Sequence, residues 1–217
     1  MSLAFVSPSA VDAVARSPME RQARQAGARF EVRGGWNLAV EYPGEDRVGQ
    51  SVGFADVSHL RKLEVQGDGI GGELRTARFE GEAWVCPLTP TRALIIDDGL
   101  GKNWGHTEVS SQRLRADGGS ADVLDVTCNY AALAVLGPLA RETIARFCAL
   151  DLRPRNAPPG SFRPGSIARQ PGMILVADVD RFVLLFGWAV GEYMWSVVDD
   201  AARSLDGGPV GSAALKT

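Results

Sequence analysis

Apolar and polar residues alternate with period two over most of this chain, which is the signature of half-buried strands. Phe30 and Val32 alternate with charged residues. After the Gly34-Gly35 break so do Trp36, Leu38, Val40 and Tyr42, which predicts strand, break, strand. The alternation resumes at Phe54 and ends in Leu63-Glu64-Val65-Gln66-Gly67. Strands are predicted over 83–88 and 92–97, joined by Thr89-Pro90-Thr91, and a long one over 122–136 with a kink near Cys128-Asn129. Strands over 165–169, 173–177 and 181–187 follow, the last two joined by a tight turn at Asp178-Val179-Asp180.

The period lengthens in few places. Ser17-Pro18-Met19-Glu20 predicts a helix over 18–26, with Ser17 as cap, Pro18 in the first turn and Glu20 reaching back to the Ser17 amide, stopped by Gly27. Short helices are expected over 69–77 and 104–115. Pro138 opens another, whose Ala140, Ile144, Phe147 and Cys148 share one face. The last helix is expected over 190–204, with Val190, Met194, Val197, Val198 and Ala201 on one face. The Pro-rich stretch 152–164 and the tail around Gly207-Gly208-Pro209 read as loop.

These elements contain a repeat. Asp56-Val57-Ser58 leads to Leu63-x-Val65-x-Gly67, and Asp125-Val126-Thr127 leads to Leu133-x-Val135-x-Gly137, with the two glycines 70 residues apart (137 − 67). A helix, two strands and a helix are expected after each. The prediction is an α+β fold of two ferredoxin-like β-α-β-β-α halves, about 52–120 and 121–206, sharing antiparallel sheet.

Composition narrows the class. At 217 residues, 45% hydrophobic and 23% charged, the chain has the make-up of an ordinary globular domain, which excludes disorder, collagen and coiled coil. A net charge of −3 and no basic run longer than Arg61-Lys62 argue against nucleic-acid binding. The longest apolar run, 182–190, is too short to cross a membrane, and the first residues lack the basic start of a signal peptide. Cys86, Cys128 and Cys148 form neither a disulfide framework nor a zinc pattern, so reduced, mostly buried thiols in the cytoplasm are expected.

Few residues advertise chemistry. Gly67-Asp68-Gly69-Ile70-Gly71-Gly72 satisfies a dinucleotide-binding pattern. The charged preceding strand (Arg61, Lys62, Glu64) and the lack of an acid at the end of the next one argue for a plain turn instead. His59 and His106 have no metal-ligand spacing and no metal site is expected. Asp97-Asp98 reads as a strand-end cap more readily than as an acid–base pair, because adjacent strand residues point to opposite faces. The five tryptophans read as core or subunit-contact residues.

A resemblance then joins these segments. Val52-Gly53-Phe54-Ala55-Asp56-Val57-Ser58-His59-Leu60, continuing to Gly67, resembles the N-terminal signature of the glycine-cleavage T-protein, a folate-dependent aminomethyltransferase. Leu133-Ala134-Val135-Leu136-Gly137-Pro138 is similar to the family's second landmark. Cys148-Ala149-Leu150-Asp151-Leu152-Arg153-Pro154, Ile167-Ala168-Arg169-Gln170-Pro171, Asp180-Arg181-Phe182 and Trp188-Ala189 with Tyr193-Met194-Trp195 resemble the gamma subunit of heterotetrameric sarcosine oxidase, which shares that fold.

The resemblance implies a single T-protein-like domain over 17–217 after an N-terminal extension over 1–16, without the family's C-terminal barrel. It also implies departures. The family holds folate with an aspartate in a G-G-x-x-D-D-L segment and a glutamate in a G-Y-T-G-E segment after the Ile-Ala-Arg strand. Here Arg169 is followed by Gln170-Pro171-Gly172-Met173, with neither tyrosine nor glutamate. Ile95-Ile96-Asp97-Asp98 looks locally like the aspartate segment, but the stretch 88–95 fits a later turn and strand of the family better. The reading is therefore a non-catalytic, gamma-like subunit that docks onto larger flavoprotein-type catalytic subunits and binds no cofactor tightly itself. The alternative is a stand-alone folate-dependent aminomethyltransferase or a folate-binding regulatory module. In that case Arg169 and Asp98 are the candidate residues for tetrahydrofolate, which needs Asp97 or Asp98 in a central cavity beside Arg169.

Overall fold

A computed structural model of the chain describes residues 13–97 and 121–216. Its strands and helices follow from where the apolar alternation breaks. β1 (Ala15–Arg16), β2 (Arg29–Arg33) and β3 (Trp36–Glu41) form a small sheet in the order β1-β3-β2, with helix α1 (Glu20–Gln25) between the first two strands. The Met19 amide donates to Ser17 Oγ at 3.1 Å. Gly27, at φ +83°, ends α1, and the Ala28 amide reaches back to the Ala23 carbonyl at 3.0 Å. Glu20 does not reach back to the Ser17 amide. Its carboxylate turns along the helix to Arg24 at 2.8 Å, where opposite charges at i and i+4 meet.

The rest of the chain builds two larger sheets. β4 (Gly53–Asp56), β5 (Lys62–Gln66), β6 (Arg78–Glu80), β7 (Ala83–Thr89), β8 (Arg92–Asp97) and β9 (Asp122–Asp125) come first. β10 (Tyr130–Leu136), α2 (Ala140–Ala145), β11 (Ser161–Ile167), β12 (Gln170–Asp178), β13 (Arg181–Gly187), α3 (Gly191–Arg203) and β14 (Gly208–Pro209) follow. One sheet runs β6-β7-β8-β5-β9 and the other β11-β12-β13-β10-β4-β14. Strand for strand, β6, β7, β8, β5 and β9 occupy the places of β11, β12, β13, β10 and β4, and every one of these pairings is antiparallel.

The repeat is thus real, and its halves exchange strands. β4, from the first half, pairs with β10 of the second; β9, opening the second half, pairs with β5 of the first. This is why neither long alternating run is one strand. The run from Phe54 breaks after Asp56 and passes to the other sheet, and the run 122–136 does the same after Asp125. Each break is an Asp-x-Ser/Thr turn: the Ser58 amide donates to Asp56 Oδ1 at 3.0 Å, and the Thr127 amide to Asp125 Oδ1 at 2.9 Å.

Alternation along the strands builds three layers. Leu133, Val135, Ile174, Phe182 and Phe186 face the helices, where Ile144 of α2 and Met194 and Trp195 of α3 cover them. Ala132, Ala134, Leu175, Val183 and Leu185 face the other sheet and meet Cys86, Leu94 and Ile96. Phe54 packs edge-on to Trp195 with ring centroids 5.0 Å apart.

Several elements differ from expectation. No helix forms over 69–77: Gly69, Gly72 and Arg75 all take positive φ there, which a right-handed helix does not accept. The expected helix over 104–115 lies outside the described residues. The Pro-rich stretch gives up its last residues to β11, which begins at Ser161 because the Thr76–Ser161 bridge holds it against the loop before β6. The expected tail loop contributes β14, parallel to β4. Cys86 and Cys148 are buried and Cys128 is exposed. Among the described residues no helix is long and apolar enough to cross a membrane.

Candidate functional site

The two strand exchanges meet at one place, and the ionisable residues gather there. Asp56 ends β4, Asp125 ends β9, and Lys62 begins β5 between them. Lys62 lies on the face of β5 that looks into the layer between the sheets, at the position Ala132 holds in the other half. It is completely buried. Its Nζ donates to the Ser58 carbonyl at 2.9 Å and the Leu60 carbonyl at 2.8 Å, closing the turn that leads into β5. Burial pushes its ammonium down to about 8, against the pull of Asp56, Cys128, Asp125 and Asp97.

Asp97, at the end of β8, faces the same group. Burial raises its carboxyl to about 6; Arg61 opposes that shift, while Asp125 and Glu82 add to it. Asp56 is also raised by burial, although Ser17 and the Ser58 amide donate to it. Arg61 lies 3.8 Å from Asp125 across the mouth of the cluster.

Beside Asp56 opens a cleft of about 280 Å³ that includes open solvent. Ser17, Glu20 and Asn37 from the N-terminal elements line it, with Asp56 and His59 opposite and Trp36 as an aromatic wall. His59 is half-buried, and burial with the Lys62 charge drives its imidazole down to about 3, so it is neutral. Among the described residues no group of three or more His, Cys, Asp or Glu side chains is arranged to hold a metal ion.

Arg169 stands elsewhere. It is exposed at the tip of the β11–β12 hairpin, where Ala168 and Arg169 take φ of 48° and 63°. The Ala168 amide is held by the Phe147 carbonyl at 3.0 Å and its carbonyl by the Tyr193 hydroxyl at 3.0 Å. Arg169 and Asp97 thus lie on different sheets with different neighbours. Asp98 and His106 lie outside the described residues. The glycine-rich turn is no nucleotide cradle: β5 is antiparallel to both its neighbours and no helix follows it. Gly71 serves packing, since a Cβ there would meet the Thr89 carbonyl at 1.8 Å, while Gly69 takes a φ of 74° in open space.

Sequence reasoning missed Lys62. Arg61, Lys62 and Glu64 entered only as a charged strand that argues against a nucleotide site, and a lysine and a glutamate alternating with Leu63 and Val65 give no local sign of burial. The period-two pattern holds, but a second sheet covers that face.

The model of the GCVT N-terminal domain family matches residues 19–217. The chain belongs to this family. An aminomethyltransferase of Parafrankia sp. (strain EAN1pec) is 26% identical over 93% of this chain and 62% of its own length. One from Thermosynechococcus vestitus is 25% identical over 88% of this chain and 58% of its own. The chain therefore spans about three-fifths of the length of these GCVT relatives. Among solved structures, a chain of the heterotetrameric sarcosine oxidase from Corynebacterium sp. U-96 shares the fold with a TM-score of 0.66 at 18% identity, over 91% of this chain and 99% of that one. The glycine cleavage system aminomethyltransferase T from Bartonella henselae shares it with a TM-score of 0.67 at 17% identity, over 93% of this chain and 61% of that one. The GCVT fold and its T-protein-like α+β architecture are thereby fixed.

Proposed function

We propose that this chain is a non-catalytic, gamma-like subunit of a sarcosine-oxidase-type amine-oxidising complex, a T-protein-like domain that docks onto larger flavoprotein-type catalytic chains. The observation that carries the reading is the separation of Arg169 from Asp97. Aminomethyl transfer needs carboxylates placed to hold the pterin and handle a proton. Asp97 instead faces Arg61, Lys62 and Asp125 at the strand exchange. The hairpin that carries Arg169 continues as Gln170-Pro171-Gly172, where the resemblance expects a tyrosine and a glutamate. Gly172 is closed in by Ile167 and the Leu185 carbonyl, so the backbone there leaves no room for a larger side chain. The distance in the fold between Asp97 and Arg169 supports a reading without aminomethyl transfer. The match over nearly the whole of one sarcosine oxidase chain supports the same reading.

The curated relatives support a second reading, a folate-dependent aminomethyltransferase or a folate-binding regulatory module. Two measurements separate them. Purification of the tagged chain from its native organism should recover flavin-containing subunits in fixed proportion, and calorimetry of the isolated chain with tetrahydrofolate should show no tight binding. Recovery of the chain alone, together with tetrahydrofolate-dependent aminomethyl transfer, overturns the subunit reading.

A further inference from the structure

We propose that Arg75, Arg155 and Arg163 form the surface that receives an acidic segment of a larger partner chain; this rests on the subunit reading above. Arg163 lies where the loop before β6 meets β11, between the segments that carry Arg75 and Arg155. The Arg163 guanidinium donates from Nη1 to the Arg75 carbonyl at 2.8 Å and the Phe162 carbonyl at 3.3 Å, and from Nη2 to the Asn156 carbonyl. Arg155 directly precedes Asn156. One guanidinium thus ties together the two backbone segments that carry the other two arginines.

The acceptors are all neutral carbonyls. They orient the Arg163 charge and leave it unneutralised. Partial burial lowers the Arg163 guanidinium, and the Arg75 charge beside it lowers it further, so the site concentrates positive charge against a cost. Among the described residues Arg75, Arg155 and Arg163 pair with no carboxylate, whereas their neighbours do: Arg78 holds Glu80, Arg92 holds Glu64, and Arg153 holds Asp151. Asp151, the acid nearest Arg155 in sequence, is taken by Arg153 and Asn156. Counting Glu73 against the three arginines leaves +2 (3 − 1) on a chain whose net charge is −3.

Two further features suit an interface. Arg75 is exposed and held at φ 70°, a strained backbone for a side chain that touches nothing negative. Leu74 beside it and Phe79 on β6 are each 49% exposed, which adds apolar area next to the cationic cluster. Apolar area beside one fixed guanidinium fork and two exposed arginines is what a segment of alternating Asp/Glu and apolar residues would fill, and arginine is the cation favoured at such contacts.

The test is native co-purification of flavin-containing subunits with the wild-type chain, with Arg75→Glu/Arg155→Glu, and with Arg29→Ala as a control on a different surface. Arg163 is left intact because it holds three carbonyls. The wild type and the control should retain the flavoprotein and release it as salt is raised. The double reversal should lower recovery by about tenfold or more while its thermal midpoint stays at the wild-type value. Equal recovery by the double reversal overturns this docking surface and leaves the subunit reading standing. Recovery of no flavoprotein by the wild type overturns both.

Discussion

Ser58 and Thr127 do the same work on opposite sides of the strand exchange: Ser58 Oγ accepts from the Ala132 amide at 3.1 Å, and Thr127 Oγ1 accepts from the Lys62 amide at 3.0 Å. The neighbouring bonds are reciprocal too, from the Val57 amide to the Ala132 carbonyl at 3.0 Å and from the Val126 amide to the Lys62 carbonyl at 2.9 Å. Each half therefore ends its first strand by bonding to the other half's second strand. The two hydroxyls sit at the pivot of the fold.

Replacing either hydroxyl should destabilise the whole domain. Thr127→Val keeps the shape and leaves the buried Lys62 amide without its acceptor, which costs about 1–3 kcal/mol. Thr127→Ser should restore most of it. Urea denaturation of the three proteins measures the difference, and a Thr127→Val midpoint equal to wild type contradicts the pivot role.

The carboxyl of Asp97 makes stability fall as pH rises from about 4 to 6. Its folded value, about 6, lies above its ordinary 3.8, so the folded chain holds the proton more tightly and pays for ionising it. Asp97→Asn should therefore gain on wild type as pH goes from 4 to 7. Chemical-denaturation midpoints across that range read the difference.

Lys62 has the opposite sense. Its folded value, about 8, lies below its ordinary 10.5, so between these the unfolded chain binds more protons and stability rises with pH. Lys62→Met loses two hydrogen bonds and should be less stable at pH 7, yet its stability should be flatter than wild type from pH 8 to 10. A parallel rise in both proteins would assign the slope to other groups.

Gly71 is required by packing alone. A Cβ there collides with the Thr89 carbonyl, and Gly71→Ala should cost about 1–3 kcal/mol through displacement of the β7–β8 turn. Calorimetry with NAD or ATP should show no binding by either the variant or the wild type. Nucleotide binding by the wild type, lost in Gly71→Ala, would revive the dinucleotide reading.

At the hairpin tip the reverse holds. Arg169 sits at φ 63°, where glycine is at ease, so Arg169→Gly should raise stability by about 1 kcal/mol. A lowered thermal midpoint would mean that the exposed side chain makes a contact worth more than the strain.

Much of the fold was legible in the residues. The internal repeat, the strands over 83–88, 92–97 and 181–187 and the stop at Gly27 all emerge from local rules of period and turn chemistry, whereas the first helix begins only at Glu20, with Met19 and not Ser17 in the cap position. The helix expected over 69–77 was misread because its apolar spacing is weak and tertiary packing of Gly71 against the β7–β8 turn outweighs it. The candidate site was read only in part. Asp97 and Arg169 were visible as residue types, but their separation onto two sheets was not.

What the sequence determined by itself is the inventory: which stretches alternate, which turns carry an Asp-x-Ser/Thr signal, and that two halves repeat. Only the tertiary structure decided that each alternating run crosses from one sheet to the other. Period two looks the same on either side of such a crossing, because a strand's pattern reports that a face is covered and not which neighbour covers it. The buried state of Lys62 follows from that crossing. A lysine in an alternating strand looks solvated until a second sheet is laid over it, and then its charge must be met by the carbonyls of Ser58 and Leu60.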